Sequence, residues 1–137
     1  MPLYERTREW SDRKKRVEFP LFPGYVFSRF ELTELVEVLT TPGLVDVVRV
    51  AGRPAPVKEE ELDSVRALLR GAREAGVEPH PAQFLKPGQQ VRVTSGPFCG
   101  VCGTLTQERG TSRVVVRLGT LRQAVAIEMD RRHLTPA

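Results

Sequence analysis

Two cysteines, two histidines and three consecutive glutamates are the residues of this 137-residue chain whose types and spacing could do chemistry. Cys99 and Cys102 stand in Cys-Gly-Val-Cys, the spacing of a redox pair or of half a zinc site. A redox pair needs a helix N-terminus to depress the thiol pKa, and this pair lies between glycines in a turn. A zinc site needs two further ligands, which only His80 and His133 could supply. Neither histidine has a matched nucleophile or belongs to an acid–base motif. Glu59-Glu60-Glu61 reads as the solvated start of a helix, where carboxylates favour the dipole. The cysteines read as small buried residues, and the chain as a protein with no catalytic centre, metal or cofactor.

What remains is binding, and charge gives its first outline. The net charge is +4, unevenly spread. Residues 1–30 hold seven basic and four acidic side chains, residues 31–83 six and ten, and residues 84–137 eight and three. Basic ends favour a polyanionic neighbour such as nucleic acid or a ribonucleoprotein, though the excess is too small for strong independent DNA binding. Arg13-Lys14-Lys15-Arg16 is the one basic run, and two readings stand for it: a solvated hairpin tip or a phosphate contact. No apolar run is long enough for a transmembrane helix. The opening MPLYERTREW carries charges where a signal peptide needs apolar residues, so the default location is the cytoplasm.

The elements that must position these surfaces fall into two groups. Phe19 to Phe30 is rich in aromatic and β-branched residues with period-two alternation, which predicts a strand. Apolar residues at 32, 35, 36 and 39 predict a helix over Glu31 to Leu39, capped by Thr33 and stopped by Pro42-Gly43. Leu44 to Val50 reads as a second strand, turned by Ala51 to Pro54 into a short edge piece, Ala55-Pro56-Val57. Leu62, Val65, Leu68 and Leu69 stripe a helix over Lys58 to Arg70. Gly71, Gly76, Pro79 and Pro81 then read as breakers, making residues 71–83 an interdomain linker.

After the linker the pattern becomes all-β. Within Phe84 to Gly110, FLKPGQQVRVTSGPFCGVCGTLTQERG, glycines punctuate short alternating stretches. Gly88 and Gly96 fall where a tight turn needs positive φ, and Gly100 and Gly103 where the chain bends or another backbone passes close. Five strands are expected: Gln90–Thr94, Gly103–Glu108, Ser112–Leu118, Leu121–Met129 and Arg132–Leu134. Strands of this length and spacing suit a small SH3-like barrel.

Three stretches carry a family resemblance. The glycine-punctuated segment resembles the KOW motif of NusG-type transcription factors and some ribosomal proteins. Phe22-Pro23-Gly24-Tyr25-Val26-Phe27 resembles a strand signature of the NusG N-terminal (NGN) domain. Arg53-Pro54-Ala55-Pro56-Val57 before an acidic helix resembles that domain's last hairpin and helix. Their order is the family's order. The C-terminal hairpin, Leu121 to Glu128, looks more like that of specialised NusG paralogues. The resemblance implies an α+β protein: an NGN-type α/β sandwich over residues 1–70, a linker over 71–83 and a KOW domain over 84–137. It also implies a strand and a helix ahead of the region where Met1 lies, with Pro2-Leu3-Tyr4 matching the start of the family's second strand. A misplaced start codon, a fragment or a shortened variant would each account for this. The N-terminal part is then expected to be incompletely folded alone, and the KOW part unaffected.

The resemblance implies a monomeric, non-enzymatic transcription elongation or antitermination factor. Phe22 and Tyr25, flanking a Pro-Gly bend, would bind RNA polymerase, and Arg13, Lys14, Lys15 and Arg16 would lie near upstream DNA in a weak, sequence-independent contact. Phe98 and Leu121 would contact the KOW domain's partner, either Rho or a small-subunit ribosomal protein. Leu121 stands where the housekeeping factor has an aromatic, which puts Rho binding in doubt. The competing reading is a ribosomal-type KOW protein that sets Arg92, Arg109, Arg113 and Arg117 against rRNA phosphate and leaves the first 80 residues unexplained.

Overall fold

The computed structural model describes residues 1–10, 13–82, 88–108 and 110–137, with the backbone alone for residues 7–10, 13–16, 81 and 108. The chain opens with an antiparallel hairpin of β1 (Leu3–Trp10) and β2 (Arg13–Pro20), in which Tyr4 lies opposite Phe19. The two rings sit 6.0 Å apart, and the Arg6 guanidinium lies 6.0 Å from the Phe19 ring centre. Beyond it, residues 25–30 carry no ladder. The expected strand over Phe19 to Phe30 therefore ends at Pro20, because among the described residues no neighbouring strand pairs with the segment after it.

The expected helix over Glu31 to Leu39 is a 3-10 turn, Leu32–Glu34, running into a short α1 (Leu35–Leu39). Its cap is Glu31 rather than Thr33, and the Glu34 carboxylate accepts the Glu31 N–H at 2.9 Å, reaching back as in a capping box. The second expected strand shrinks to β3 (Arg49–Val50), paired with β4 (Arg53–Pro54). Ala51 and Gly52, at φ 53° and 77°, make the turn between them, the positive pair that a tight two-residue hairpin requires.

Helix α2 spans Glu59–Ala75 and ends on Gly76 in the left-handed conformation. It runs straight through Gly71, so the expected helix end at Arg70 was five residues early. Within the described part of the expected linker, a further pairing appears. Residues His80–Pro81 form β5, which pairs with Ala126 and Val125.

The C-terminal strands are β6 (Gln89–Val93), β7 (Cys102–Glu108), β8 (Thr111–Leu118), β9 (Gln123–Glu128) and β10 (Leu134–Pro136). With β5 they form one antiparallel, barrel-like sheet in the order β10-β6-β7-β8-β9-β5. The expected last strand is displaced, Arg131–His133 being a 3-10 turn that leads into β10. Gly88 shows a close approach instead of positive φ: a Cβ there would lie 2.4 Å from the Leu105 carbonyl oxygen. Val114 and Val116 of β8 enter a core that also takes Val91, Val93, Leu118 and Ile127. That core does not stop at the sheet. Val65, Ala67, Leu68 and Ala72 of α2, and Phe22 from the N-terminal region, belong to the same buried cluster.

Candidate partner-binding surfaces

Helix α2 is the element that organises both candidate surfaces, because it lies against the sheet along its length. Near its start, the Thr120 hydroxyl donates to the Pro56 carbonyl at 3.2 Å. One turn on, Gly119 N–H donates to Glu61 Oε1 at 3.2 Å. The buried Ser64 hydroxyl then accepts from Cys102 N–H at 3.2 Å. Gly100 faces Ala67, and finally Gly71 passes the Pro97-Phe98 loop. A Cβ at Gly71 would fall 2.4 Å from Phe98 Cδ1 and 2.6 Å from the Pro97 carbonyl oxygen. Positions 61, 64, 67 and 71 recur at helical spacing, so one face of α2 makes the whole contact.

This contact decides the fate of the sequence-predicted residues. Phe98 is 6% exposed and Leu121 is 9% exposed, both within the core shared with α2. Neither offers a free surface in this arrangement, because α2 and the core it completes cover them. Phe22 is 2% exposed and meets Phe27 edge-on at 6.1 Å. It is not a surface anchor here, because the ring that follows the hairpin turns inward and fills the core. Tyr25 is half-buried and packs against that core. Arg13, Lys14, Lys15 and Arg16 run along β2, and their side chains lie outside the described residues.

The exposed apolar surface lies elsewhere, in the segment expected from its sequence to be strand and helix. Val45 is 99% exposed and Val36 75%, and Val26, Leu32, Val48 and Val50 are also exposed. Isolated exposed apolar residues are ordinary, but this many within one stretch is an unusual concentration. Their clustering in one segment was the signal available in the sequence; the side chains' direction was not.

The groups that could do chemistry are placed structurally. Cys99 is exposed and Cys102 half-buried, both as free thiols. Among the described residues no three His, Cys, Asp or Glu side chains gather as a metal site. Ser95 Oγ lies 2.6 Å from His133 Nδ1, a pair the sequence pattern did not reveal, and the His133 carbonyl accepts from Thr94 N–H at 2.8 Å. These bonds tie the 94–96 turn to the C-terminal segment. Asp130, beside them, is taken up by Arg132, whose backbone N–H and guanidinium hold the carboxylate below its ordinary pKa. Of the four arginines in the rRNA reading, Arg113 pairs with Glu128, Arg117 donates to Thr104, and Arg109 lies outside the described residues. A cavity between β1 and the end of α2 measures about 150 Å³, below the roughly 300–1,000 Å³ of a typical ligand site. Among the described residues no helix is long and apolar enough to cross a membrane.

The fold is that of an α+β protein, a mixed N-terminal part followed by a barrel-like sheet. Known proteins carry the assignment further. The family described as transcription termination factor nusG matches residues 1–66. The transcription termination/antitermination protein NusG of Pseudomonas aeruginosa is 30% identical over 136 residues, spanning 95% of this chain and 74% of its own length. The Thermus thermophilus protein of the same name is 35% identical over 118 residues, 77% of this chain and 62% of its own. That of Escherichia coli is 27% identical over 134 residues, 95% of this chain and 72% of its own. The chain belongs to the NusG family.

Proposed function

We propose that this protein is a transcription termination/antitermination factor that binds RNA polymerase with its N-terminal part and a second macromolecule with its barrel, without chemistry of its own. In this reading residues 1–70 form the polymerase-binding part and residues 84–137 the KOW part. The names of the relatives support the general activity. The observation that carries the polymerase half is the exposed apolar run from Val26 to Val50, within the family-matched residues. Apolar side chains held in solvent cost free energy unless a partner covers them. The contact therefore shifts from Phe22 to this run, with Tyr25 at its rim. Binding that favours one polymerase conformer over another would alter pausing by differential affinity. For the barrel, the family resemblance supplies Rho or a small-subunit ribosomal protein as the partner.

Pull-down of RNA polymerase tests the first half. The double substitution Val36→Asp/Val45→Asp changes two exposed side chains and should abolish capture while leaving the barrel folded. Undiminished capture would reject the apolar run as the contact. The rRNA reading is disfavoured by the internal engagement of Arg113 and Arg117.

A further inference from the structure

The proposed function gives no task to the chain's two cysteines. Phe98 and Val101 are sealed in the core, and each is followed by a cysteine that is not: Cys99 is exposed and Cys102 half-buried. The expected burial of both thiols therefore fails at Cys99. The chain bends between them. Val101 N–H donates to the Phe98 carbonyl at 3.1 Å, closing a tight turn, and Gly100 within it stands at φ 96°. Extended chain would hold residues three apart at about 10 Å, beyond the roughly 7 Å between Cα atoms that a disulfide spans, and the bend shortens that path. Two backbone bonds fix the base of the turn, Gly100 N–H to the Val93 carbonyl at 3.0 Å and Val93 N–H to the Val101 carbonyl at 2.9 Å. The thiols themselves are held loosely. Cys99 Sγ lies 3.5 Å from the Thr94 carbonyl and Cys102 Sγ 3.9 Å from the Gly100 carbonyl, weak bonds that a rotamer change releases.

We infer that Cys99 and Cys102 form a reversible thiol–disulfide site whose oxidant is a low-molecular-weight disulfide, with Cys99 as the attacking thiol and Cys102 as the resolving one. Exposure sets that order, since exchange requires access to the incoming sulfur. The Cys99 thiolate attacks one sulfur of the disulfide RSSR. The S–S bond breaks, its electron pair leaves with RS⁻, which takes up the proton Cys99 has lost, and a mixed disulfide remains. The Cys102 thiolate then attacks Cys99 Sγ, and the second RS⁻ leaves and takes up the Cys102 proton. In sum two protein thiols and one RSSR give one protein disulfide and two RSH; the cysteines lose two electrons and the small disulfide gains them. The closed ring ties the turn to the first residue of β7, so the redox state is recorded in the backbone of residues 99–102. An exposed disulfide is readily reduced, which makes the step reversible. This site goes beyond the proposed function and does not rest on it.

Oxidised glutathione serves as the probe on the reduced full-length chain. Because the chain has two cysteines, intact mass after acid quenching and alkylation reads the outcome without ambiguity. The unaltered protein should lose both thiols together, as a single chain lighter by two hydrogens and carrying no lasting glutathione. Dithiothreitol should restore both thiols. Cys102→Ser should stop at one glutathione on Cys99. Cys99→Ser should react at least about tenfold more slowly, its remaining thiol being half-buried. In the oxidised protein the amides of Cys99, Gly100 and Val101, bonded to the carbonyls of Gly96, Val93 and Phe98, should exchange at least about threefold more slowly than in the reduced one. The inference is overturned if the unaltered chain stops at a glutathione adduct, if the disulfide forms only between two chains, or if Cys99→Ser reacts as fast as Cys102→Ser. Amide exchange that ignores the redox state would overturn it too, since the turn would then record nothing. The first two outcomes are read on the unaltered protein and do not depend on how a variant folds. Polymerase capture plays no part in the readout, so failure here leaves the proposed function untouched.

Discussion

The N-terminal segment from Tyr25 to Val50 and the C-terminal sheet are built from similar residues and end in opposite states. Both are rich in valine, and both hold stretches that read as strands. In the sheet, the central strands find their partners a few residues away, through the β7–β8 and β8–β9 hairpins, and Val114 and Val116 are sealed. In the N-terminal segment the strand-like stretches meet no ladder beyond the two-residue pairing of β3 with β4, and Val26, Val36, Val45, Val48 and Val50 face water. Alternation marks a surface that could be half-buried; burial itself requires a neighbour. A hairpin carries its neighbour along the chain, which is why the C-terminal part completes itself and the segment does not.

The largest expected difference is in amide exchange. Backbone N–H groups in β8 and β9 sit inside a ladder over a closed core, and should open only with global unfolding, slowed roughly a thousandfold or more relative to the unfolded chain. Residues 26–30 show no backbone hydrogen bond among the described residues and should exchange at close to unfolded rates. Comparable protection in both regions would show that the segment pairs with something and would break the contrast.

Paired substitutions sharpen it with side chains. Val114→Ala deletes methyl groups from a fully buried site and should cost about 1.5–3 kcal/mol. Val45→Ala makes the same chemical change at a site that is 99% exposed and should stay within about 0.5 kcal/mol. Denaturant midpoints with unchanged slopes measure both. Equal costs would mean that Val45 is covered in solution.

Legibility in the sequence divides along the same line. The strands of the sheet were readable to within a few residues because hairpin pairing is local and the apolar period is two. Strand β5 was missed because Pro81 reads as a breaker, whereas at a sheet edge proline need not donate to the ladder. The run of α2 through Gly71 was missed for a related reason. Glycine weakens a helix by propensity, yet here the approach of Phe98 admits nothing larger. The family resemblance identified the fold class and the family correctly. It did not show which way the aromatic rings point. Phe22 flanks a bend as expected and turns inward, while Phe98, passed by Gly71 of α2, and Leu121 lie in the barrel and are buried in the shared core. Sidedness of that kind depends on what packs from elsewhere in the chain, which no local pattern records.

The smallest expected effect tests whether the barrel's end is held by charge as well as by its core. Asp130 caps the 3-10 turn Arg131–His133, accepting from Arg132 N–H at 3.0 Å and from Arg132 Nε at 3.0 Å. These bonds, the backbone one first, hold the carboxylate below its ordinary pKa. A carboxyl depressed in the folded state adds stability above its unfolded pKa and loses it as pH falls through the folded value. The barrel should therefore be insensitive to Asp130 protonation near neutrality and weaken below about pH 4. Asp130→Asn keeps an acceptor for the cap and removes the charge, so its midpoint should lie slightly below that of the unaltered protein at about pH 7 and converge with it as pH falls through the folded pKa. Because the group is exposed and screened, the gap should also shrink in high salt. A gap that stays constant across the titration would assign the residue's contribution to capping geometry alone. The closed core would then be the sole source of the contrast between the sheet and the open segment before it.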